Sequence, residues 1–448
     1  MPAEGSEATA AGAVTRREGW LRAFAVYGEP RIVIIFFMGF SSGLPLLLTL
    51  STLSYWLAKV GLDKTSIGLF ALVGVPYSVK FLWAPVIDQV RLPLLAPLLG
   101  HRRSWALVTQ AALIAAILAL GSCDPVAAPW TTAAAAFAVA FCSASQDIVL
   151  DAYRIEILTD DEQGAGAAST QFGYRVGILV AGAGALALSD FVGWFWVFAA
   201  MAALVLIGSL TVLLAPEPRH VQASEPEFPA DPRAWIENAV LAPLADFVQR
   251  RGWVVILLFA LLYKFGDAIG GVMANPFYVE LGFTGTEIGS ITKVVGLIGT
   301  LLGVFVGGAM VARYGILWAL VVGGILQAAT NLLFAVQAMI GHDLGMLAVA
   351  IGADSFTGGL GSAAFVAYLS SLCNKAFTGT QYALLTSLMA FGRTVLSSGG
   401  GWLADQVDWV TFFVLTTGLA IPGLLLLAWL IRLYPPAPRA PKSGLAET

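Results

Sequence analysis

Charge is what this sequence has least of: Lys, Arg, Asp and Glu make up 12% of its 448 residues, about half the share of an ordinary soluble domain. That excludes a water-soluble globular protein. Cysteine and histidine are scarce too, with three of each. Cys123, Cys142 and Cys373 lie apart in or near apolar segments, which argues against a disulfide framework and a zinc site. His101, His220 and His342 fall in separate loops, so neither a metal nor another cofactor is expected. The phosphate-cradling pattern GxxxxGK[ST] does not occur, and any uphill work must therefore draw on an ion gradient. The net charge of −4 is held in short loops and gives no reason to expect a nucleic-acid partner. A separate catalytic domain is also missing. The longest polar interval, Ala215 to Arg251, is broken by Pro216, Pro218, Pro229, Pro232 and Pro243.

What is present is apolar sequence, 58% by composition. Windows of about 20 apolar residues predict twelve membrane-spanning helices, near 32–57, 65–87, 104–121, 130–152, 170–189, 193–214, 252–274, 287–310, 316–338, 345–371, 381–403 and 410–432. Residues 1–31 read as a cytoplasmic tail without a signal peptide, and 433–448, beginning in YPPAPRAPKSG, as a disordered one. Arg31, Arg91, Arg102, Arg103, Arg154, Arg250, Arg251, Arg313, Lys375 and Arg432 all fall in the termini or in loops after even-numbered spans; only Lys59 and Lys64 fall opposite. The positive-inside rule then puts both termini in the cytoplasm and makes the span number even.

The basic, Pro-rich loop 215–251 separates two stretches, 32–214 and 252–432, that echo each other. Thr65-Ser66-Ile67-Gly68 opens the second span as Thr286-Glu287-Ile288-Gly289 opens the eighth; Gly173-Tyr174-Arg175 stands in the fifth where Phe391-Gly392-Arg393 stands in the eleventh. Two six-helix bundles in parallel repeat are the organisation of major facilitator transporters. Their loop motif between the second and third helices is matched loosely by Asp88 and Gly100-His101-Arg102-Arg103, with a Pro-rich insert between, and again near Gly308 to Arg313.

The stretch Phe141 to Arg154, FCSASQDIVLDAYR, carries two carboxylates into an apolar span. Asp147 and Asp151, four residues apart, share a helix face about 6 Å from each other, with Arg154 following on it. A charge at mid-bilayer costs about 2.5–3.5 kcal/mol on the lenient scale, so these groups must face protein or water. Asp151 and Arg154 read best as an ion pair at a helix end, whereas the deeper Asp147 reads as functional.

The runs GFSSGLPLLLT (Gly39 to Thr49), KFLWAPVID (Lys80 to Asp88), FCSASQDIVLDA (Phe141 to Ala152), GAGAA (Gly164 to Ala168), LLYKFGDA (Leu261 to Ala268) and LCNKAF (Leu372 to Phe377) together resemble the AmpG-type muropeptide permeases. The resemblance implies a monomeric, proton-coupled importer in the bacterial inner membrane. Its substrates would be N-acetylglucosaminyl-anhydro-N-acetylmuramyl peptides, taken from periplasm to cytoplasm for peptidoglycan recycling, with a link to β-lactamase induction. Related branches carry acetyl-CoA or deliver bacteriochlorophyll. An intramembrane enzyme is the less favoured class, since no histidine lies in a span.

By analogy with facilitators, spans one, four, seven and ten should line a cavity. Ser41 and Ser42 beside Gly43 and Pro45, Gln146, Lys264 with Asp267, and Asp354 with Ser355 and Thr357 are the candidates there. The peptide stem's carboxylates call for cations, and Lys80, Arg175, Lys264, Lys293 and Arg393 lie inside spans. Arg175 and Arg393 suit inter-helix links equally well, Lys264 also suits a closed pair with Asp267, and Lys293, the weakest candidate, suits a reach to the outer interface. Proton coupling needs a carboxylate that alternates between a dry environment and one beside a cation; Asp147 ranks first, Asp267 second and Asp354 third. Asp88, Arg102, Arg103, Asp151 and Arg154 are the gating candidates. Trp83 and Tyr263 could stack on a sugar, although core packing is the better reading of both.

Overall fold

The computed structural model describes residues 25–62, 66, 69–218, 237, 241–397 and 400–434. Among them every regular element is helical, as a chain in hydrocarbon requires if its backbone N–H and C=O groups are to find partners within one segment. Ten of the described helices are long and apolar enough to cross a membrane. They are α1 (Pro30–Lys59), α3 (His101–Gly121), α4 (Pro129–Ile157), α5 (Gln163–Ser189), α6 (Trp194–Leu214), α7 (Trp253–Glu280), α8 (Glu287–Tyr314), α9 (Ile316–Ile340), α10 (Leu344–Ser371) and α12 (Trp409–Leu433). Two further helices, α2 (Leu72–Leu82) and α11 (Thr378–Ser397), stand where the second and eleventh spans are expected.

The expected second span is not one regular helix. It runs from a 3-10 turn at Ala71–Gly74 through α-helix Val75–Val79 to a second 3-10 turn at Lys80–Leu82, and resumes at Ala84–Gln89. Pro76 and Pro85 sit at the starts of the two α-helical pieces, where a residue without an N–H is tolerated but cannot continue the preceding ladder. Elsewhere the ends are marked by ordinary caps. Pro30 and Pro129 open α1 and α4, Thr284 and Glu287 form a reciprocal capping box at α8, and Asp343 accepts from the Met346 N–H at α10.

Small residues set the closest helix crossings. A Cβ at Gly173 of α5 would stand 2.0 Å from the Phe36 carbonyl oxygen of α1, and one at Gly43 of α1 would stand 2.2 Å from that of Tyr174. The second half repeats the device between α8 and α10, where Gly303 would meet the Phe356 oxygen at 1.9 Å and Gly359 that of Thr300 at 2.3 Å. In lipid, where no water drives helices together, such backbone contact supplies the packing energy. Gly266 likewise abuts Thr416 of α12, while Gly270 has only ordinary contacts.

The first half has its own core around Leu44, Leu113, Ile117 and Phe198, and the second half around Phe277, Phe334, Phe412 and Phe413. A third cluster joins Ile155 and Ala167 of the first half to Phe259, Phe365 and Tyr368 of the second. The halves thus meet at the end that carries the basic loops. There Asp88 accepts from the Gly379 and Thr380 N–H groups at 3.2 and 3.0 Å and from the Thr380 hydroxyl at 3.0 Å. These are donors of the first turn of α11, the natural place for an anion.

Arg102 holds Asp88 from the other side at 2.6 Å and binds Glu156 at 2.6 Å, with all three side chains buried. The Pro-rich insert thus folds back so that the loosely matched motif is assembled in space. Arg154 adds a second link, donating to the Ser370 hydroxyl at 2.9 Å and lying over the Tyr382 ring at 5.3 Å. Tyr27 donates to the Phe305 carbonyl at 2.9 Å, and Gly164 and Gly308 approach closely enough that a Cβ on either would meet the other's oxygen at about 3 Å.

Two outcomes are expected from this packing. Gly303→Val should lower the thermal midpoint of the detergent-solubilised protein by the equivalent of about 1–3 kcal/mol or more, the range for overpacked interiors. Gly289→Ala, whose Cβ meets nothing within 4 Å, should leave that midpoint unchanged or raise it. Asp88→Asn keeps the shape but removes the charge that Arg102 and α11 share. Removal of a charge-assisted bond worth about 1.5–3 kcal/mol should lengthen the distances between spin labels at the basic-loop ends of α4 and α10; an unchanged distribution would show that Asp88 does not hold that end shut.

Candidate functional site

Between the halves lies a cavity of ≈ 430 Å³. Its polar wall is supplied by Gln171 and Arg175 of α5, Lys264 and Asp267 of α7, Gln327 of α9 and Asp354 of α10. The first of these helices belongs to one half and the rest to the other. Span α7 is interrupted here, since its α-helical pieces Trp253–Leu262 and Phe265–Glu280 leave Lys264 out of helical geometry at φ −105°, ψ 14°. Irregular backbone at membrane depth is tolerated where it lines a cavity.

The Lys264 ammonium stands 3.5 Å from the Asp267 carboxylate and 3.5 Å from the Gly358 carbonyl, with both side chains still partly accessible. Those distances are long for charge-assisted bonds, so the pair remains able to take another partner. Asp354 is held more firmly. Gln327 donates to it at 2.9 Å, Thr330 stands 3.4 Å away, and the charges of Asp267 and Lys264 both reach it. Arg175 also lines an adjoining chamber of ≈ 380 Å³ together with Lys293, Tyr278 and Asp354.

Asp147 is not on the wall of either space. It faces a cleft of ≈ 20 Å³ that it shares with Asp151 and Arg154, and the Ser42 hydroxyl donates to it at 2.5 Å. Lys80, buried on the 3-10 turn of α2, and Asp151 are close enough for their charges to reach it. Ser41 and Gln146 are fully buried in the α1–α4 interface, where the Gln146 amide donates to the Ser41 carbonyl at 3.1 Å. Asp151 pairs with Arg154 at 3.5 Å. Arg103 stays within the first half and donates to the Val212 and Leu213 carbonyls at the end of α6. The Arg393 side chain lies outside the described residues.

Trp83 donates to Ser145 at 3.0 Å and packs on Phe141, and Tyr263 donates to Leu320 at 2.8 Å and stacks on Phe365. Both are core residues. Sequence reasoning overlooked Glu156, the second anion on Arg102, although it follows Arg154 by two positions in the same helix. It also overlooked Gln171 and Gln327, neutral groups that no spacing rule marks.

Asp246, on the short helix Ala242–Val248 outside the spans, was missed as well; its i,i+4 partner Arg250 is the signal that was there. Partial burial works against its ionisation, but donation from Gln381, Asn374 and Arg250 outweighs that and holds its carboxyl below the usual range. It thereby fastens the loop between α10 and α11 to the chain that enters α7. Among the described residues no three of His, Cys, Asp or Glu come together as metal ligands would.

The family model of the Major Facilitator Superfamily matches residues 33–267 and 256–447. The anhydromuropeptide permease of Escherichia coli K12 is 41% identical over 404 residues, which cover 90% of this chain and 80% of that protein. A putative transporter AmpG 4 of Rickettsia felis is 34% identical over 90% of this chain and 97% of its own. Among solved structures, the human organic anion transporter MFSD10 superposes with a TM-score of 0.61 at 15% identity over 91% of this chain and 99% of that one. The proton:xylose symporter XylE does so with 0.62 at 12% over 93% and 96%. At those identities the two structures establish the fold alone, whereas the permeases match in sequence along nearly the whole chain. A carrier fold with its cavity between two packed halves, and relatives that are permeases rather than enzymes, identify this chain as a member of the major facilitator superfamily and, within it, of the AmpG-type anhydromuropeptide permease family.

Proposed function

We propose that this protein imports N-acetylglucosaminyl-anhydro-N-acetylmuramyl peptides from periplasm to cytoplasm across the bacterial inner membrane, driven by protons and working as a monomer. The observation that carries the reading is the 41% identity to an anhydromuropeptide permease over 90% of the chain, in a molecule whose cavity offers cations, carboxylates and amides together. N-acetyl sugars need amide and hydroxyl partners; peptide carboxylates need cations. In this reading the chain crosses the bilayer twelve times, α2 and α11 included. Residues 32–214 and 252–432 are the two bundles, and 215–251 the cytoplasmic loop between them.

The basic-loop end is then cytoplasmic, with both termini on that side, and the arrangement closed by Asp88, Arg102, Glu156 and Arg154 is the outward-facing one. Lys264 and Arg175 are the substrate cations, with Lys80, Lys293 and Arg393 in support. Asp147 is the first coupling carboxylate, ahead of Asp267 and Asp354. It lies seven residues before Arg154 on α4, so a proton taken up or lost in its cleft alters the charge balance of the helix that carries the second inter-half link. Alternating access then needs only that substrate and proton together bind the two arrangements unequally.

Proteoliposomes loaded with the wild type should accumulate labelled anhydromuropeptide when the proton gradient runs in the direction of uptake. Asp147→Asn should lose gradient-driven accumulation by at least about tenfold, the effect of about 1.4 kcal/mol, while still binding substrate. Uptake unchanged in the variant would return Asp147 to a structural role. Absence of uptake by folded wild type would sink the substrate assignment and favour the acetyl-CoA or pigment-delivery branches.

A further inference from the structure

The adjoining chamber has a different electrical character from the central cavity. Facing the central cavity, Lys264 and Arg175 are matched by Asp267 and Asp354. Among the described residues, Lys293 and Arg175 facing the adjoining chamber are opposed by Asp354 alone, whose carboxylate is already engaged by Gln327 at 2.9 Å. Among the described residues one space is therefore balanced and carries two amides, Gln171 and Gln327, and the other has cation to spare. Arg175, Thr300, Asp354 and Ser355 line both, so the two share a wall.

Chain direction places the chambers in sequence. Helix α7 leaves the basic-loop end at Trp253, passes Lys264 and Asp267 at the central cavity, and reaches Tyr278 at the adjoining one. The second chamber is thus nearer the end opposite the basic loops. Helices α5 and α8 face each other across it, and each carries a π-helical turn beside it, at Val180–Gly184 and Thr292–Gly296. Such turns are uncommon and concentrate at functional sites. The second of them presents Lys293, which is exposed.

We infer that the two chambers divide the substrate by charge: the uncharged N-acetylated disaccharide occupies the balanced central cavity, and the carboxylates of the peptide stem lie in the outer chamber against Lys293 and Arg175. The inference rests on the substrate assigned above and adds which residue reads which part of it. Lys293 is a specificity residue for the stem, and Arg175, shared by both spaces, marks the junction of sugar and peptide. An outer cation pair also draws the anionic end of the substrate from solution first.

The test is calorimetric titration of the full chain in lipid nanodiscs with two ligands. One is the anhydro-disaccharide with its lactyl carboxyl converted to an amide, which has no charge; the other is the same disaccharide bearing an acidic tripeptide. Lys293→Gln should weaken the peptide ligand by about tenfold, the worth of one charge-assisted hydrogen bond, and leave the amide within about twofold of wild type. Lys293→Arg should restore the peptide ligand. Equal losses for both ligands, or none for the peptide ligand, would overturn the division. Failure of the wild type to bind either ligand would instead remove the substrate assignment beneath it.

Discussion

A charge in hydrocarbon must find a partner or a cavity, and the architecture of this chain follows from how it meets that demand. Among the described residues most of its buried or cavity-facing charges are gathered into three places, at the closed end, at the central cavity and in a cleft. Asp88, Arg102 and Glu156 neutralise one another where the halves meet; Lys264, Asp267, Asp354 and Arg175 face the central cavity; and Asp147 sits in a cleft with Asp151 and Arg154. The outer face of the helices is left to apolar side chains such as Leu206, Leu210, Ile298 and Trp429. Each charged group is thereby placed where its loss would be felt either in closure or in binding.

Rigidity and irregularity are divided along the same lines. Helices α1 and α5, and α8 and α10, lie backbone to backbone at glycines, so each pair moves as a unit. Breaks occur at Lys264 in α7, at Lys80–Leu82 in α2 and at the π turns of α5 and α8, and also at Leu50 in α1, at Ala71–Gly74 where α2 starts and at Ala420 in α12. Lys264 faces the central cavity, Lys293 on the π turn of α8 faces the outer chamber, and Lys80 bears on Asp147. Part of the irregular backbone thus supplies the site.

Much of the architecture was legible in the sequence because hydrophobic length and loop charge are one-dimensional properties. The family motifs were legible for the same reason, as contiguous runs. What escaped was pairing. The match between Asp88 and Arg102 looked weak because a Pro-rich insert separates them, yet that insert returns the chain so that they meet at 2.6 Å. Ser41, Ser42 and Gln146 read as equivalent cavity candidates, but a helix turns by about 100° per residue. Ser42 reaches Asp147 while its neighbour Ser41 is buried in the interface. Lys80 showed as an isolated cation, and only the packing of α2 against α4 reveals that its charge bears on Asp147. Gln171 and Gln327 gave no signal, since an amide on a cavity wall and an amide in a helix interface look alike in sequence.

The closed end is fastened by polar links as well as by an apolar cluster, and the polar share has a physical reason. A carrier must keep its two arrangements within a few kcal/mol of each other, because a ligand can shift the balance only by its differential affinity. An interface made of large apolar side chains would expose its whole area to water on opening, at about 25 cal/mol for each Å². Bonds such as Asp88 to the α11 N–H groups, or Arg154 to Ser370, can instead be exchanged for bonds to water, so that the net cost of each is far below its gross strength. The apolar contacts that cross between the halves at this end combine small groups, Ala167 and the facing pair Gly164 and Gly308, with larger ones such as Ile155, Phe365 and Tyr368. Asp147, Asp151, Arg154 and Glu156 stand on the C-terminal half of one helix, which runs from the Asp147 cleft to this fastening. A change of charge in the cleft is therefore felt first by the residues whose bonds are the least costly to exchange.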